Sequence, residues 1–410
     1  MDTSASSRSG RLTVLRAAWL YDGTGPGLIS DPVLVLDGGT IAAVGPPGGV
    51  PEGATVVDLG GATLLPGLID THVHLAFDAS SDPVGNLAGR DAAAALAAMA
   101  AAARRAARGG VTTVRDLGDR DYLSLALRGA AASDRSLPTI VAAGPPITTP
   151  GGHCHYLGGT ATGMEGVRAA VRERAERGAD IIKIMASGGN LTPGTRPELP
   201  QFTPEELRAA VAEAHRHRLP VTAHAHGTRA VADAVAAGVD GLEHVTFMSA
   251  NGVDPAPDAL VKAIAGRGIA LGITLGAVPG EGSAMPPAMA AGLPTLTANV
   301  RRLHRAGARI VAGTDAGVGP AKPPDVLRWA VGRLPDIGLT SAEALHAATR
   351  LAAEVCGLGD RKGRLAPGYD ADVLAVGGDP LRDLAALHDI RAVYVRGERL
   401  ASAGTRAASP

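Results

Sequence analysis

From residue 63 onward the chain repeats one pattern: a short apolar run, a loop, then an alanine-rich segment with helical spacing. The apolar runs fall at 64–70, 111–115 (VTTVR), 139–143 (TIVAA), 181–185 (IIKIM), 220–224 (PVTAH), 239–243 (VDGLE), 269–274 (IALGIT) and 309–313 (RIVAG). Between them lie helical segments such as 91–110, 164–180 and 203–219. The last of these opens with Thr203 as N-cap, Pro204 at the first helical position and Glu206 completing a capping box. Alternating βα units in this number imply an α/β fold of the (β/α)8 TIM-barrel type, which gathers its functional side chains at the carboxyl ends of the strands.

The flanks read differently. Residues 11–62 alternate short β-rich runs with Gly, Pro and Asp turns, and no helix fits there. After a helix over 341–359, β character returns in ADVLAVGG and RAVYVRGERL. The expected organisation is therefore a barrel over 63–362 and a small β-sandwich domain built from both termini, 1–62 and 363–410. The last ten residues, ASAGTRAASP, read as a disordered tail.

Composition narrows the function. Aromatic residues are only 2%, so the core must be built from Ala, Val, Leu and Ile, and base stacking is disfavoured. Lys+Arg 39 against Asp+Glu 40 leaves net charge -1 and no basic run to meet phosphates, which argues against nucleic-acid binding. The stretch MDTSASSRSGRLTVL lacks an apolar segment of signal-peptide length, and no run reaches the roughly 18 apolar residues of a membrane span. Cys154 and Cys356 are too few and too far apart for a disulfide framework. These features predict a cytoplasmic protein with a small-molecule substrate, no membrane or nucleic-acid partner, and room for a homo-oligomer.

The strand ends carry the chemistry. The first run closes in Asp70-Thr71-His72-Val73-His74, and residues two apart on a strand face the same side, so both imidazoles can meet one ion. Lys183 sits inside an apolar run, where an ammonium needs a partner or a modification. The fifth strand ends Ala223-His224-Ala225-His226, the sixth carries Glu243-His244, and the eighth runs into Gly313-Thr314-Asp315. In a barrel these ends converge on one axis.

These motifs resemble the amidohydrolase superfamily over most of the chain. PGLIDTHVH looks like its first-strand signature, IIKIMASGG its lysine strand, VTAHAHG and LEHV its two single-histidine strands, AGTDAG its eighth-strand aspartate, and LAPGYDADVLAVGGDPL the strand closing its small sandwich. KIMASGGNLTPGT, QFTPEELRAAVAEAH and VTAHAHG are closest to the imidazolonepropionase-like and Xaa-Pro dipeptidase (prolidase-like) branch.

The resemblance implies two divalent metal ions, with Zn²⁺ the leading assignment and Mn²⁺, Fe²⁺ or Co²⁺ left open. It implies that His72, His74 and Asp315 hold one ion, His224 and His244 the other, and a carbon dioxide-derived carbamate on Lys183 both. His226 is assigned to substrate, with replacement of His224 as the alternative. His153, in a GGH loop after the third strand, either polarises the substrate carbonyl or braces the loop. Arg196 either meets a substrate carboxylate or is solvated, and Cys154 is a core residue or lies near the site.

Two metals sharing a water lower its pKa to about 7, which makes a bridging hydroxide the expected nucleophile. Asp315 is the expected proton carrier to the leaving nitrogen, so the expected reaction is hydrolysis of a C–N bond in a dipeptide, an N-acyl amino acid or a cyclic amide. Lactone, carbamate or phosphotriester hydrolysis would use the same centre, and a non-catalytic barrel scaffold is the third reading. A single-metal deaminase fits less well, because it would not need Lys183 and would place a glutamate where this chain has Gly227.

Overall fold

The computed structural model describes residues 12–46, 49–280 and 287–401. The first eleven residues, which open the stretch read as free of a signal segment, and the tail from 402 onward lie outside the described residues.

Eight parallel strands organise the fold: β1 (Leu68–Val73), β2 (Val111–Asp116), β3 (Thr139–Ala142), β4 (Ile182–Met185), β5 (Val221–Gly227), β6 (Gly241–Ser249), β7 (Ala270–Thr274) and β8 (Arg309–Gly313). The first three form one sheet in chain order, and β4 to β8 form a second, also in chain order. Main-chain bonds join the two. Ile147 N donates to Lys183 O (2.8 Å) beyond β3, and past the end of β8 Asp315 N donates to His72 O (2.7 Å) while His74 N donates to Ala316 O (2.9 Å). Parallel neighbours thus follow chain order from β1 to β8, and the end of β8 lies against β1.

Helices connect these strands as the alternation requires. Ala92–Arg108 begins at Asp91, whose side chain accepts from Ala94 N, and Pro204–Arg216 begins with the expected Thr203–Glu206 capping box. No helix among the described residues is long and apolar enough to cross a membrane.

Two elements differ from the sequence expectation. The run 64–70 is not one strand. Ala62–Pro66 pairs antiparallel with Val373–Gly377, and β1 begins only after Gly67, whose N–H donates to Asp372 O (3.0 Å). A Cβ on Gly67 would overlap Thr112, so the chain changes sheet where only glycine fits. The helix expected over 341–359 is two, Ser341–Ala347 and Arg350–Val355. The Ala348 carbonyl between them accepts from Ile69 N of β1 (2.8 Å), a bond to the sheet at the point where the helical ladder is interrupted.

The termini do share one sheet. Its order is Glu398–Arg399, Ile390–Val395, Val373–Gly377, Ala62–Pro66, Trp19–Leu20, Ile29–Ser30. A second sheet holds Thr40–Gly45, Val33–Asp37, Thr13–Arg16 and Thr55–Asp58. Leu15, Leu34 and Ile41 from the latter pack with Leu20, Leu64, Val373 and Tyr394 from the former in one buried cluster.

Candidate metal centre

The strand ends deliver their side chains into one buried space. His72 lies on β1 and His74 just after it, Lys183 on β4, His224 and His226 on β5, His244 on β6, and Asp315 two residues beyond β8. Ring centroids of His72 and His74 are 5.4 Å apart, those of His72 and His244 5.2 Å, and those of His224 and His244 4.6 Å. Lys183 Nζ stands 3.5 Å from His72 Nε2. Asp315 Oδ1 stands 3.5 Å from His72 Nε2 and 3.3 Å from His74 Nε2. Two groups emerge in which one donor atom per residue lies within 4.8 Å of the others: His72 with His74 and Asp315, and His224 with His226 and His244.

The histidines are wired so that their bare nitrogens are available. His72 Nδ1 donates to Glu243 Oε2 (2.9 Å), His74 Nδ1 to Gly118 O (3.0 Å), and His224 Nε2 to Gly188 O (3.0 Å). Carboxylates and carbonyls only accept, so the opposite ring nitrogens of His72 and His224, Nε2 and Nδ1, keep their lone pairs, while His74 Nε2 faces Asp315 Oδ1. His244 Nδ1 pairs with Thr274 Oγ1 and His226 Nδ1 with Thr246 Oγ1, each at 2.9 Å. Burial holds His72 and His226 down to about 4, and burial with neighbouring positive charge holds His224 and His244 well below the usual imidazole range. His74 is the exception: burial would lower it, but the hydrogen bond and charge of Asp315 outweigh that and raise it. Imidazoles, most of them held neutral, beside an anionic carboxylate are donors that could hold a divalent cation.

Lys183, only 1% exposed, is pushed by burial down to about 8, so a neutral amine is within reach at physiological pH. Asp315 stays ionised well below the usual carboxylate range; burial would raise it, but His72, His74 and Lys322 prevail. Its side chain keeps 21% exposure. His244, Val245, Phe247 and Asp315 all have positive φ, between 50° and 72°, which places strained backbone within β6 and just beyond β8, beside the ligand-type side chains.

His153 enters the same space. Its ring lies 4.7 Å from that of His224, and its Nδ1 pairs with Thr192 Oγ1 (3.0 Å). Burial first, then the charge of His226, hold it to about 3, so it is neutral. A Cβ on Gly189 would overlap His153 Nε2. His226 is drawn into the same donor group as His224 and His244, its ring stacked 4.5 Å from His244. Arg196 is not brought to the centre: its guanidinium pairs with Glu198 Oε1 (2.5 Å) with 58% of the side chain exposed. Cys154 is buried in the main hydrophobic cluster, accepts a hydrogen bond from Tyr156, and its thiol is pushed by burial up to about 12.

Sequence reasoning missed the braces behind these ligands. Glu243, 1% exposed, accepts from His72 Nδ1, from Arg115 Nη2 (3.0 Å) and from Thr222 Oγ1 (2.7 Å). Only glycine fits at position 272 of β7, because a Cβ there would overlap the Glu243 carboxylate. Asp70 accepts from Thr314 Oγ1 (2.6 Å) and Thr314 N (3.1 Å), tying β1 to the turn that carries Asp315. An acidic residue next to a candidate ligand inside an apolar strand was the available signal for Glu243.

Glu243→Gln is expected to weaken metal binding by about 10–100-fold, the usual cost of losing such a partner. The amide oxygen can replace only one side of the carboxylate, so either His72 Nδ1 or Arg115 Nη2 loses its acceptor, and the negative charge between them is lost in both cases. Competition with a chelator measures it, and unchanged affinity would remove Glu243 from this role.

Comparison with known proteins accords with this geometry. Residues 63–400 match the Amidohydrolase family. The ochratoxinase of Aspergillus niger is 30% identical, the alignment covering 95% of this chain and 86% of that protein. The imidazolonepropionase of Deinococcus deserti is 28% identical over 91% of this chain and 92% of that one. Among solved structures, a Xaa-Pro dipeptidase with methionine bound in its active site superposes with a TM-score of 0.82 at 28% identity, covering 95% of this chain and 99% of that one. The chain belongs to the amidohydrolase family, and with it to the hydrolases that act on carbon–nitrogen bonds.

Proposed function

We propose that the chain is a binuclear metal-dependent hydrolase that cleaves an amide bond in a dipeptide, an N-acyl amino acid or a cyclic amide. The observation that carries this reading is the convergence of two donor groups, one of His72, His74 and Asp315 and one of His224, His226 and His244, with the buried Lys183 Nζ 3.5 Å from His72 Nε2. In this reading β1 to β8 close into a (β/α)8 barrel over 63–362, and the terminal sheets form a β-sandwich beside it.

His72, His74 and Asp315 would hold one ion and His224 and His244 the other. The Lys183 amine would add to the carbon of carbon dioxide and lose a proton, becoming an anionic carbamate that would help to hold the ions. His226, in the second donor group, has its Nε2 free to meet either the ion or the substrate. Bound here, two divalent ions supply a water activated at neutral pH and a Lewis acid for the scissile carbonyl. His153 donates from its free ring nitrogen to the carbonyl oxygen as negative charge builds on it. Asp315 takes the proton of the attacking water on its second oxygen and delivers it to the leaving nitrogen.

The imidazolonepropionase and Xaa-Pro dipeptidase likenesses favour this substrate range over lactones or phosphotriesters. A screen of dipeptides, N-acyl amino acids and lactones with metal-reconstituted protein tests it: turnover of lactones alone would overturn the amide assignment. Elemental analysis is expected to find two equivalents of divalent metal per chain. A reproducible single equivalent in metal-replete, bicarbonate-supplemented buffer would sink the binuclear centre.

A further inference from the structure

We propose that a second cavity, at the amino ends of β3 to β5 and so at the opposite end of the strands from the metal centre, binds a small organic anion. It encloses about 620 Å³, within the range of small-molecule sites, and Arg115, Arg128, Arg218, Arg361 and Arg396 line it against a single acid, Asp180. Three of these cations are already neutralised. Arg128 pairs with Asp180 (2.6 Å), Arg361 with Asp370 (2.8 Å), and Arg115 with Glu243 (3.0 Å).

Arg218 and Arg396 are not. Neither forms an ion pair among the described residues. Arg396 donates only to neutral acceptors, the carbonyls of Ala131 (2.8 Å), Asp134 (3.1 Å) and Leu137 (3.3 Å) and the Thr139 hydroxyl (3.3 Å), and its buried Nε has no partner at all. Asp372 and Asp370 act on Arg396 only from beyond ion-pair distance, and two guanidiniums without a contacting carboxylate beside one concavity focus positive potential into it. Planar guanidinium forks fit the oxygens of a phosphate ester or a carboxylate. The rest of the wall is apolar, with Val141, Ile181, Pro220 and Leu358 facing the same space, so the ligand carries a hydrocarbon body beside its anionic head. Arg115 belongs to this wall and to the Glu243–His72 brace alike, so an anion bound here touches a group that also positions a metal ligand.

Calorimetric titration of the holoenzyme at constant ionic strength with phenyl phosphate, phthalate and inorganic phosphate tests this. Saturable binding of phenyl phosphate or phthalate is expected, tighter than that of inorganic phosphate, and which of the two binds better distinguishes a phosphate ester from a carboxylate as the head group. Arg218 is exposed, so Arg218→Ala and Arg218→Glu should fold, keep basal hydrolysis, and bind the organic anion at least about tenfold more weakly, the worth of one charge-assisted hydrogen bond. Affinity unchanged in both variants would place the anion at the metal ions and overturn the proposal. So would an absence of binding in the wild type, or inorganic phosphate binding as tightly as the organic anions.

Discussion

Lys183→Arg is expected to yield a folded protein that has lost most of its metal and its hydrolytic activity. Burial disfavours a cation at residue 183, but Glu243 and Asp315 lie close enough to offset part of that cost, so the charge of arginine is not by itself a reason for the fold to fail. Arginine, however, stays protonated and cannot form a carbamate. If the two donor groups hold two cations as proposed, losing that anion would leave the cations repelling each other with Asp315 the anionic group remaining in the two donor groups. Removing a brace behind a ligand already costs about 10–100-fold, and removing the ligand itself should cost more. Lys183→Ala should lose metal in the same way, since Lys183 Nζ reaches to 3.5 Å from His72 Nε2 among the donor atoms. Elemental analysis beside a thermal melt separates the outcomes. Near-normal metal and activity in Lys183→Arg would make Lys183 a structural partner of Glu243 and Asp315.

Much of this centre is legible in the amino-acid sequence, because the ligand-type residues are chemically conspicuous at the ends of apolar runs: His72 and His74, Lys183, His224, His244 and Asp315. Their meeting point follows from the alternation of strand and helix alone. What the sequence hides is what depends on long-range closure. The brace on His72 joins residues 72, 115, 222 and 243, each unremarkable within its own strand, and becomes a network only when β1, β2, β5 and β6 surround a common interior. The break at Gly67 is hidden because Leu64, Leu65, Leu68 and Ile69 are all buried, so hydrophobicity does not change where the chain leaves one sheet for the other. The helix break near Thr349 is hidden for a related reason: the competing donor, Ile69 N, lies far away in sequence. His226 illustrates the limit of spacing itself, since two histidines two apart share a face and the pattern cannot say which one takes an ion.

Asp315→Asn is expected to lower kcat on amides by roughly 10² to 10⁴, the usual span for a positioned acid-base group, while most of the metal stays. Asparagine keeps the shape and one oxygen facing His72 and His74, but it cannot take up a proton. The carboxylate it replaces is held ionised at neutral pH by His72, His74 and Lys322, with its side chain partly exposed. The loss should depend on the leaving group. An amide nitrogen must be protonated before it departs, whereas a nitrophenyl ester or an activated lactone departs unaided. Asp315→Asn should therefore be hurt more on an amide than on an activated ester of similar shape, where bond cleavage limits both rates and the wild type turns over both. Equal losses on the two substrates, with metal content unchanged, would mean that Asp315 does not protonate the leaving group. The acid would then have to be one of the other groups gathered at the same strand ends, with His153, 4.7 Å from His224, the first to replace and His226 the second.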